Sequence, residues 1–169
     1  MVYVDNAPDF VLGQDVFGNA VKVVMTVKSG SSEILPGAPL KISGANKQLE
    51  PAGANEKVFA ILEDMGIDPN TNTRKTFPAN TTKKASVILF GVVKVRFGGA
   101  CSRGAPVKAG SDGKFVAAVN TVSIPSGATQ VLSTSAQPSM TVEAGIACGI
   151  ALDNIAADGD DGLILFGRC

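Results

Sequence analysis

Three short blocks of this sequence occur twice, in the same order along the chain. The pairs are Gly-Ala-Pro-Leu-Lys at 37–41 with Gly-Ala-Pro-Val-Lys at 104–108, Phe-Ala-Ile-Leu-Glu-Asp at 59–64 with Cys-Gly-Ile-Ala-Leu-Asp at 148–153, and Ile-Leu-Phe-Gly at both 88–91 and 164–167. One matched tetrapeptide would be chance, but three blocks in one order indicate a duplicated structural unit. The repeat therefore predicts a fold with two similar halves.

The sequence around these blocks consists of short apolar runs separated by turn-forming residues. The run at 21–28 is rich in β-branched side chains, which are typical of strands. Asp112-Gly113 between two apolar runs is typical of a tight hairpin turn. Residues 56–65 allow one or two helical turns or a strand at 58–62, and the repeat favours the strand. We therefore predict an all-β fold, a short-stranded sandwich or small barrel with an extended N-terminal arm.

The repeat also suggests how the chain is organised. We expect an arm at residues 1–19 and a single pseudo-duplicated β domain at 20–169. The halves of that domain are about 20–95 and 96–169, and they either pack into one core or form separate lobes. Residues 66–84 are almost all polar, which predicts a long loop whose basic residues either contact an acidic partner or are simply solvated.

The arm carries isolated apolar residues between Asp, Asn, Pro and Gly. This pattern is too irregular for a core element, so these side chains either dock on a partner or protomer or cap the protein's own core. We take the first alternative as the prediction. The candidate capsid- or protomer-contact residues are Val2, Tyr3, Val4, Phe10, Val11, Leu12 and Phe17.

The composition argues against catalysis, because the chain has no His and therefore no imidazole base or metal ligand. Cys101, Cys148 and Cys169 lack Cys-x-x-Cys spacing and predict buried apolar residues plus one terminal thiol. We expect no enzyme activity, no cofactor and no metal. Fifteen basic and fifteen acidic residues balance, so neither a nucleic-acid nor a membrane partner is expected. Residues 1–15 contain no Lys or Arg, so no secretory signal is expected either.

Two groups of acidic residues are alternative candidates for chemistry. The segment 158–162 (Asp-Gly-Asp-Asp-Gly) contains the ingredients of a Ca²⁺ loop, but it lacks the EF-hand spacing, and we expect an ordinary turn. Glu63, Asp64 and Asp153 have no evident catalytic partner in the sequence, so they are expected to be solvated acids at strand ends.

The order of the repeated blocks resembles the bacteriophage capsid decoration, or cement, proteins. The resemblance is clearest at 104–115, 145–153 and 163–166, with a second copy at 37–64 and 87–91. It implies a homo-oligomer, with a trimer favoured, whose partner is the major capsid protein. It further implies a structural virion protein made in the host cytoplasm, which binds the outer surface of an expanded head and clamps neighbouring capsid subunits.

A second class of function is a head-fibre or adhesin-like β module that binds a host surface. Glycan-binding faces usually need exposed aromatic side chains, and this chain has no Trp and a single Tyr. The sequence therefore favours the decoration protein. The sequence does not indicate which virus or host is involved.

Overall fold

The computed structural model describes residues 12–43, 48–118 and 146–167, and this part of the chain contains strands and no helix. The all-β prediction is therefore confirmed. The strands are β1 (Val21–Lys28), β2 (Pro39–Ile42), β3 (Leu49–Pro51), β4 (Ala60–Leu62), β5 (Ile67–Asp68), β6 (Thr73–Arg74), β7 (Thr82–Gly98), β8 (Pro106–Ala109), β9 (Phe115–Ala117), β10 (Gly149–Ala151) and β11 (Asp158–Phe166).

The large sheet closes on itself twice, and both closures use β7. Ring one runs β1-β3-β2-β4-β7 and closes through the antiparallel β1–β7 pair. Ring two runs β7-β11-β10-β8-β9 and closes through a parallel β7–β9 pair. Because β7 is 17 residues long, its first half serves ring one and its second half serves ring two.

The two rings are built in the same way. Each contains one parallel pair, β1–β3 in ring one and β7–β9 in ring two, and all other pairs are antiparallel. The Gly37 N–H donates to the Leu62 carbonyl at 2.8 Å, and the Gly104 N–H donates to the Ala151 carbonyl at 2.8 Å. Each of the two Gly-Ala-Pro blocks therefore leads into an equivalent strand, β2 or β8.

Each ring encloses its own apolar side chains. Alternate residues of β7 face the interior of ring one and then that of ring two, as the period of a strand requires. Ring one encloses Val27, Leu40, Leu49, Leu62, Phe77 and Val87 among others. Ring two encloses Val93, Val95, Phe97, Val107, Phe115, Ile164 and Phe166 among others. The cluster of ring two also includes side chains from the outer face of ring one, so the rings share a continuous apolar contact.

The local predictions succeed at the second hairpin. Asp112 and Gly113 both have positive φ, and the Lys114 N–H donates to the Ser111 carbonyl at 3.1 Å. This is the conformation of a type I′ turn, which joins β8 to β9 as the sequence predicts. Within the run at 58–62, Ala60–Leu62 forms strand β4, and the run contains no helix.

Two local predictions are wrong, and the two Ile-Leu-Phe-Gly blocks differ in burial. Residues 66–84 are not one long loop, because they contain the β5–β6 hairpin and the start of β7 at Thr82. The acidic segment 158–162 belongs to β11, where a register shift against β7 accommodates one extra residue. Phe90 of the first Ile-Leu-Phe-Gly block is 46% exposed, whereas Phe166 of the second is 2% exposed.

Candidate docking surface

Residues 12–16 run antiparallel to β7 at the junction between the two rings. The Gly13 N–H donates to the Lys94 carbonyl at 2.8 Å, and the Val16 N–H donates to the Val92 carbonyl at 3.0 Å. The Gly13 carbonyl accepts the Asp64 N–H at 3.1 Å, which ties the segment to the end of β4 as well. Backbone hydrogen bonds to both rings therefore hold the root of the arm in place.

The close approach at Gly13 requires a residue without a side chain. Gly13 has φ 73°, and a Cβ placed there would lie 2.6 Å from the Leu62 carbonyl oxygen and 2.8 Å from the Gly37 nitrogen. Both contacts are with backbone atoms, which cannot move without disturbing β4 or the entry to β2. Glycine therefore allows the arm to lie directly on the junction.

Beyond this anchor the chain turns outward around Asp15. The Asp15 carboxylate accepts the Ala20 N–H at 2.9 Å and the Phe17 N–H at 3.3 Å, which stabilises a compact turn before β1. The turn leaves the Phe17 ring 57% exposed. An exposed aromatic side chain on a hydrogen-bonded turn is well placed to contact a partner.

Leu12, on the other side of the anchor, is half-buried and lines a cavity of about 330 Å³. Leu35 and Pro36 form its apolar wall, and two ion pairs lie at its edge. Arg74 pairs with Asp64, and Arg96 pairs with Asp161 at 2.9 Å. The cavity is therefore an apolar depression with charges that are already paired.

The candidate contact residues differ in how exposed they are and in whether the structure describes them. Leu12 is half-buried at the junction and Phe17 is exposed. The other five, Val2, Tyr3, Val4, Phe10 and Val11, lie outside the described residues.

An exposed apolar pair that the sequence did not indicate lies next to the arm. Val21 and Phe90 lie directly opposite each other on β1 and β7, and both are about half exposed. The Phe90 ring also lies against Gly167, where a Cβ would come within 2.7 Å of it. Phe90 belongs to a repeated block, so the sequence contained the residue but no sign of its exposure.

Lys83 and Lys84, two of the basic residues that the sequence places in segment 66–84, lie with Lys28 at one end of ring one. Lys28, Lys83 and Lys84 are exposed and lie on neighbouring strands, since Lys83 is paired with Val27 and Lys84 with Thr26. None of the ion pairs in the described part of the chain involves these three lysines.

The acidic candidates serve the fold and are not simply solvated. Glu63 pairs with Lys22 at 2.6 Å and accepts the Ser86 hydroxyl. The Asp153 carboxylate accepts the Leu163 N–H at 2.8 Å. These bonds tie the ends of β4 and β10 to their neighbouring strands, which corrects the expectation of solvated acids.

The described residues offer no grouping for a metal ion. Within residues 12–43, 48–118 and 146–167, no three or more His, Cys, Asp or Glu side chains come together in a suitable cluster. Cys101 and Cys148 are both buried, and burial raises the pKa of the Cys101 thiol. Cys169 lies outside the described residues. The same part of the chain contains no helix long and apolar enough to cross a membrane.

Comparisons with known proteins give little beyond this geometry. No protein-family model matches the chain, and no curated protein does. Among solved structures, the chain is similar to the head fiber gp8.5 N base of bacteriophage phi29, with a TM-score of 0.48 and 16% identity over 86% of this chain and 94% of that one. This similarity is too low to carry an argument about function.

Proposed function

We propose that this chain is a structural protein of a phage virion that decorates the outer surface of an expanded head. It binds as a homo-oligomer, with a trimer favoured, and clamps neighbouring major capsid protein subunits. The observation that carries the proposal is the arm root, which backbone hydrogen bonds attach to both rings and which presents Phe17 to a partner.

The architecture supports a mechanical role. Two closed rings share one long strand, so a load on one ring passes through continuous backbone hydrogen bonding to the other. Closed rings also leave few free strand edges for uncontrolled pairing. The blocks that resemble decoration proteins lie at the entries to β2 and β8, in β4 and β10, and in β7 and β11.

The surface chemistry fits a protein partner. Phe17, Val21 and Phe90 provide exposed apolar contacts near the junction. The exposed lysines at 28, 83 and 84 supply positive charge that suits an acidic patch on a shell. The apolar contacts lie at the start of β1 and the lysines at its other end, so ring one offers two separate contacts to a partner.

The experiment is co-sedimentation of the purified chain with expanded, decoration-free heads. Unexpanded shells and free capsid protein serve as controls for the expanded lattice. Saturable binding to expanded heads alone, at a simple ratio to capsid subunits, would support the proposal. Absence of binding to every shell, with binding to host cells instead, would replace it with the head-fibre or adhesin function.

Two variants separate the arm from the rest of the surface. Deleting residues 1–11 while keeping the anchored root, or substituting Phe17→Ser, is expected to weaken head binding at least tenfold. Val24→Ser is the matched control, because Val24 is 67% exposed, pairs with Ser86 and is not part of the arm. Unchanged binding by both arm variants would refute the role of the arm.

A further inference from the structure

Ring two covers an apolar pair on the outer face of ring one. Ile61 of β4 and Ile88 of β7 are directly paired, and both are fully buried. Their neighbours in sequence face the interior of ring one, so these two side chains point out of it. They belong instead to the apolar cluster of ring two, together with Ala52 and Val58.

Ring two has an equivalent pair of apolar residues, Ile150 and Leu165, on its own outer face. Pro39 pairs with Ile61 in ring one and Pro106 pairs with Ile150 in ring two, so the two isoleucines are equivalent. Ile150 is in turn paired with Leu165 as Ile61 is with Ile88.

The pair in ring two is not fully covered. Leu165 is also paired with Val92 of β7, so Ile150, Leu165 and Val92 form an outward row across three strands. All three side chains are half-buried. The outward row of ring two therefore matches the covered pair of ring one but is left partly open to solvent.

The covering surface also has a counterpart that is open. Ring two meets ring one through Ala109, whose carbonyl accepts the Asn55 N–H at 3.1 Å, and Ala109 and Cys148 are fully buried. Ile42 is the equivalent of Ala109, because β2 pairs with β3 through Ile42 as β8 pairs with β9 through Ala109. Phe59 is the equivalent of Cys148, because the Phe59 N–H donates to the Leu40 carbonyl as the Cys148 N–H donates to the Val107 carbonyl.

These two ring-one side chains are exposed, Ile42 by 50% and Phe59 by 38%. They line a cleft of about 530 Å³ together with Lys41, Glu56 and Lys57. Lys41 forms ion pairs with Glu56 at 2.7 Å and Glu50 at 3.6 Å, so the charges beside the apolar residues are largely paired. We call Ile42 and Phe59 the open end of ring one.

We propose that the outward row of ring two is a docking site for the open end of ring one of a second copy of this chain. The contact repeats between copies the junction that joins ring one to ring two within a copy. It is head-to-tail, because different surfaces meet, and such a contact closes into a ring or continues as a chain of copies. The proposal deepens the homo-oligomer of the proposed function and rests on that part of it.

The test measures self-association of the full chain by sedimentation equilibrium over a wide concentration range. The wild-type chain is expected to form oligomers. Leu165→Glu in the outward row and Ile42→Glu at the open end are each expected to weaken self-association about 100-fold or more, because each would bury a charged carboxylate in an apolar contact. Val24→Glu is the matched control, since Val24 is exposed but belongs to neither surface.

A mixture of the two interface variants tests the head-to-tail arrangement. Leu165→Glu retains an intact open end, and Ile42→Glu retains an intact outward row. Mixed together, they are expected to form a one-to-one heterodimer that grows no further. Thermal unfolding checks that each variant is folded, and Ile150→Gln replaces Leu165→Glu if the latter does not fold.

Three results would overturn the proposal. The first is a wild-type chain that stays monomeric at every concentration. The second is association that both interface variants retain at full strength. The third is a mixture that fails to form the heterodimer, which would indicate a symmetric contact through another surface. Head binding by the monomeric variants is measured separately, so a failure here is distinguishable from a failure of the decoration function.

Discussion

Gly37 and Gly104 provide a matched experiment on the cost of packing at the ring junction. They hold equivalent positions at the entries to β2 and β8, with nearly the same backbone conformation, φ 81° and φ 84°. Their surroundings differ. A Cβ at Gly37 would lie 3.1 Å from the Lys94 carbonyl oxygen and 3.1 Å from the Gly13 nitrogen, whereas a Cβ at Gly104 would meet nothing within 4 Å.

The expected cost of alanine at each site follows from these distances. Gly104→Ala is expected to lower the free energy of unfolding by about 1–2 kcal/mol, because alanine is disfavoured in the left-handed conformation. Gly37→Ala is expected to lower it by the same amount and by about 1–3 kcal/mol more, because the added Cβ overpacks against two backbone atoms. The gain from a stiffer unfolded chain is the same for both substitutions, so it cancels in the difference.

The assay is urea unfolding of the two variants and the wild-type chain, compared at a shared m-value. Gly37→Ala should be less stable than Gly104→Ala by at least about 1 kcal/mol, which for a chain of this size corresponds to about 2–4 °C in Tm per kcal/mol. Equal costs within about 0.5 kcal/mol, or a larger cost at Gly104, would refute the close contact of the arm root and β7 with ring one.

Three further predictions concern the junction, the surface ion pair and the thiols. Ile61→Ala should cost about 2–5 kcal/mol and Ile150→Ala clearly less in the monomer, because Ile61 is fully buried and Ile150 is half-buried. Chemical unfolding of both variants measures this, and equal costs would contradict the partly open outward row of ring two. The hydrogen bond from Lys41 lowers the pKa of Glu56 below its ordinary value of 4.5, so the pair should stabilise the fold above that pH and lose its effect as the pH falls. Glu56→Gln should slightly flatten the dependence of Tm on pH. A profile of Tm against pH that Glu56→Gln leaves unchanged would contradict this role of the pair. The buried Cys101 thiol should react with a thiol reagent only on unfolding, as peptide-resolved labelling will show, and fast labelling of the folded chain would contradict its burial.

Much of the local structure was predictable because it depends on residues that are close in sequence. Asp112-Gly113 forms the expected turn because Gly, and Asp to a lesser degree, tolerate positive φ. The Gly-Ala-Pro blocks lead into strands in both rings because Gly adopts the positive φ before the strand and Pro is tolerated as the first strand residue. The loop at 66–84 failed as a prediction because a two-residue strand such as β5 leaves almost no periodic signal.

The candidate site was only partly predictable. Phe17 was identified as a contact residue, and the structure places it on an exposed turn. Val21 and Phe90 were missed, because an apolar residue in a β-branched run ordinarily predicts burial. Their exposure depends on which strand lies across from them and on how far ring two extends over that face.

The sequence by itself determined that the chain is all-β, that three short blocks occur twice, and that the chain contains no imidazole group, because composition, turn residues and repeated blocks act locally. Only the tertiary structure decided how the copies are related. The identical Ile-Leu-Phe-Gly blocks are one residue out of register, since Ile88 is equivalent to Leu165 and not to Ile164. A shift of one residue moves a side chain to the opposite face of a strand. In the second Ile-Leu-Phe-Gly block Phe166 is therefore buried in a core, whereas in the first block Phe90 lies at the surface. The face that each side chain occupies is set by strand pairing between segments that are distant in sequence.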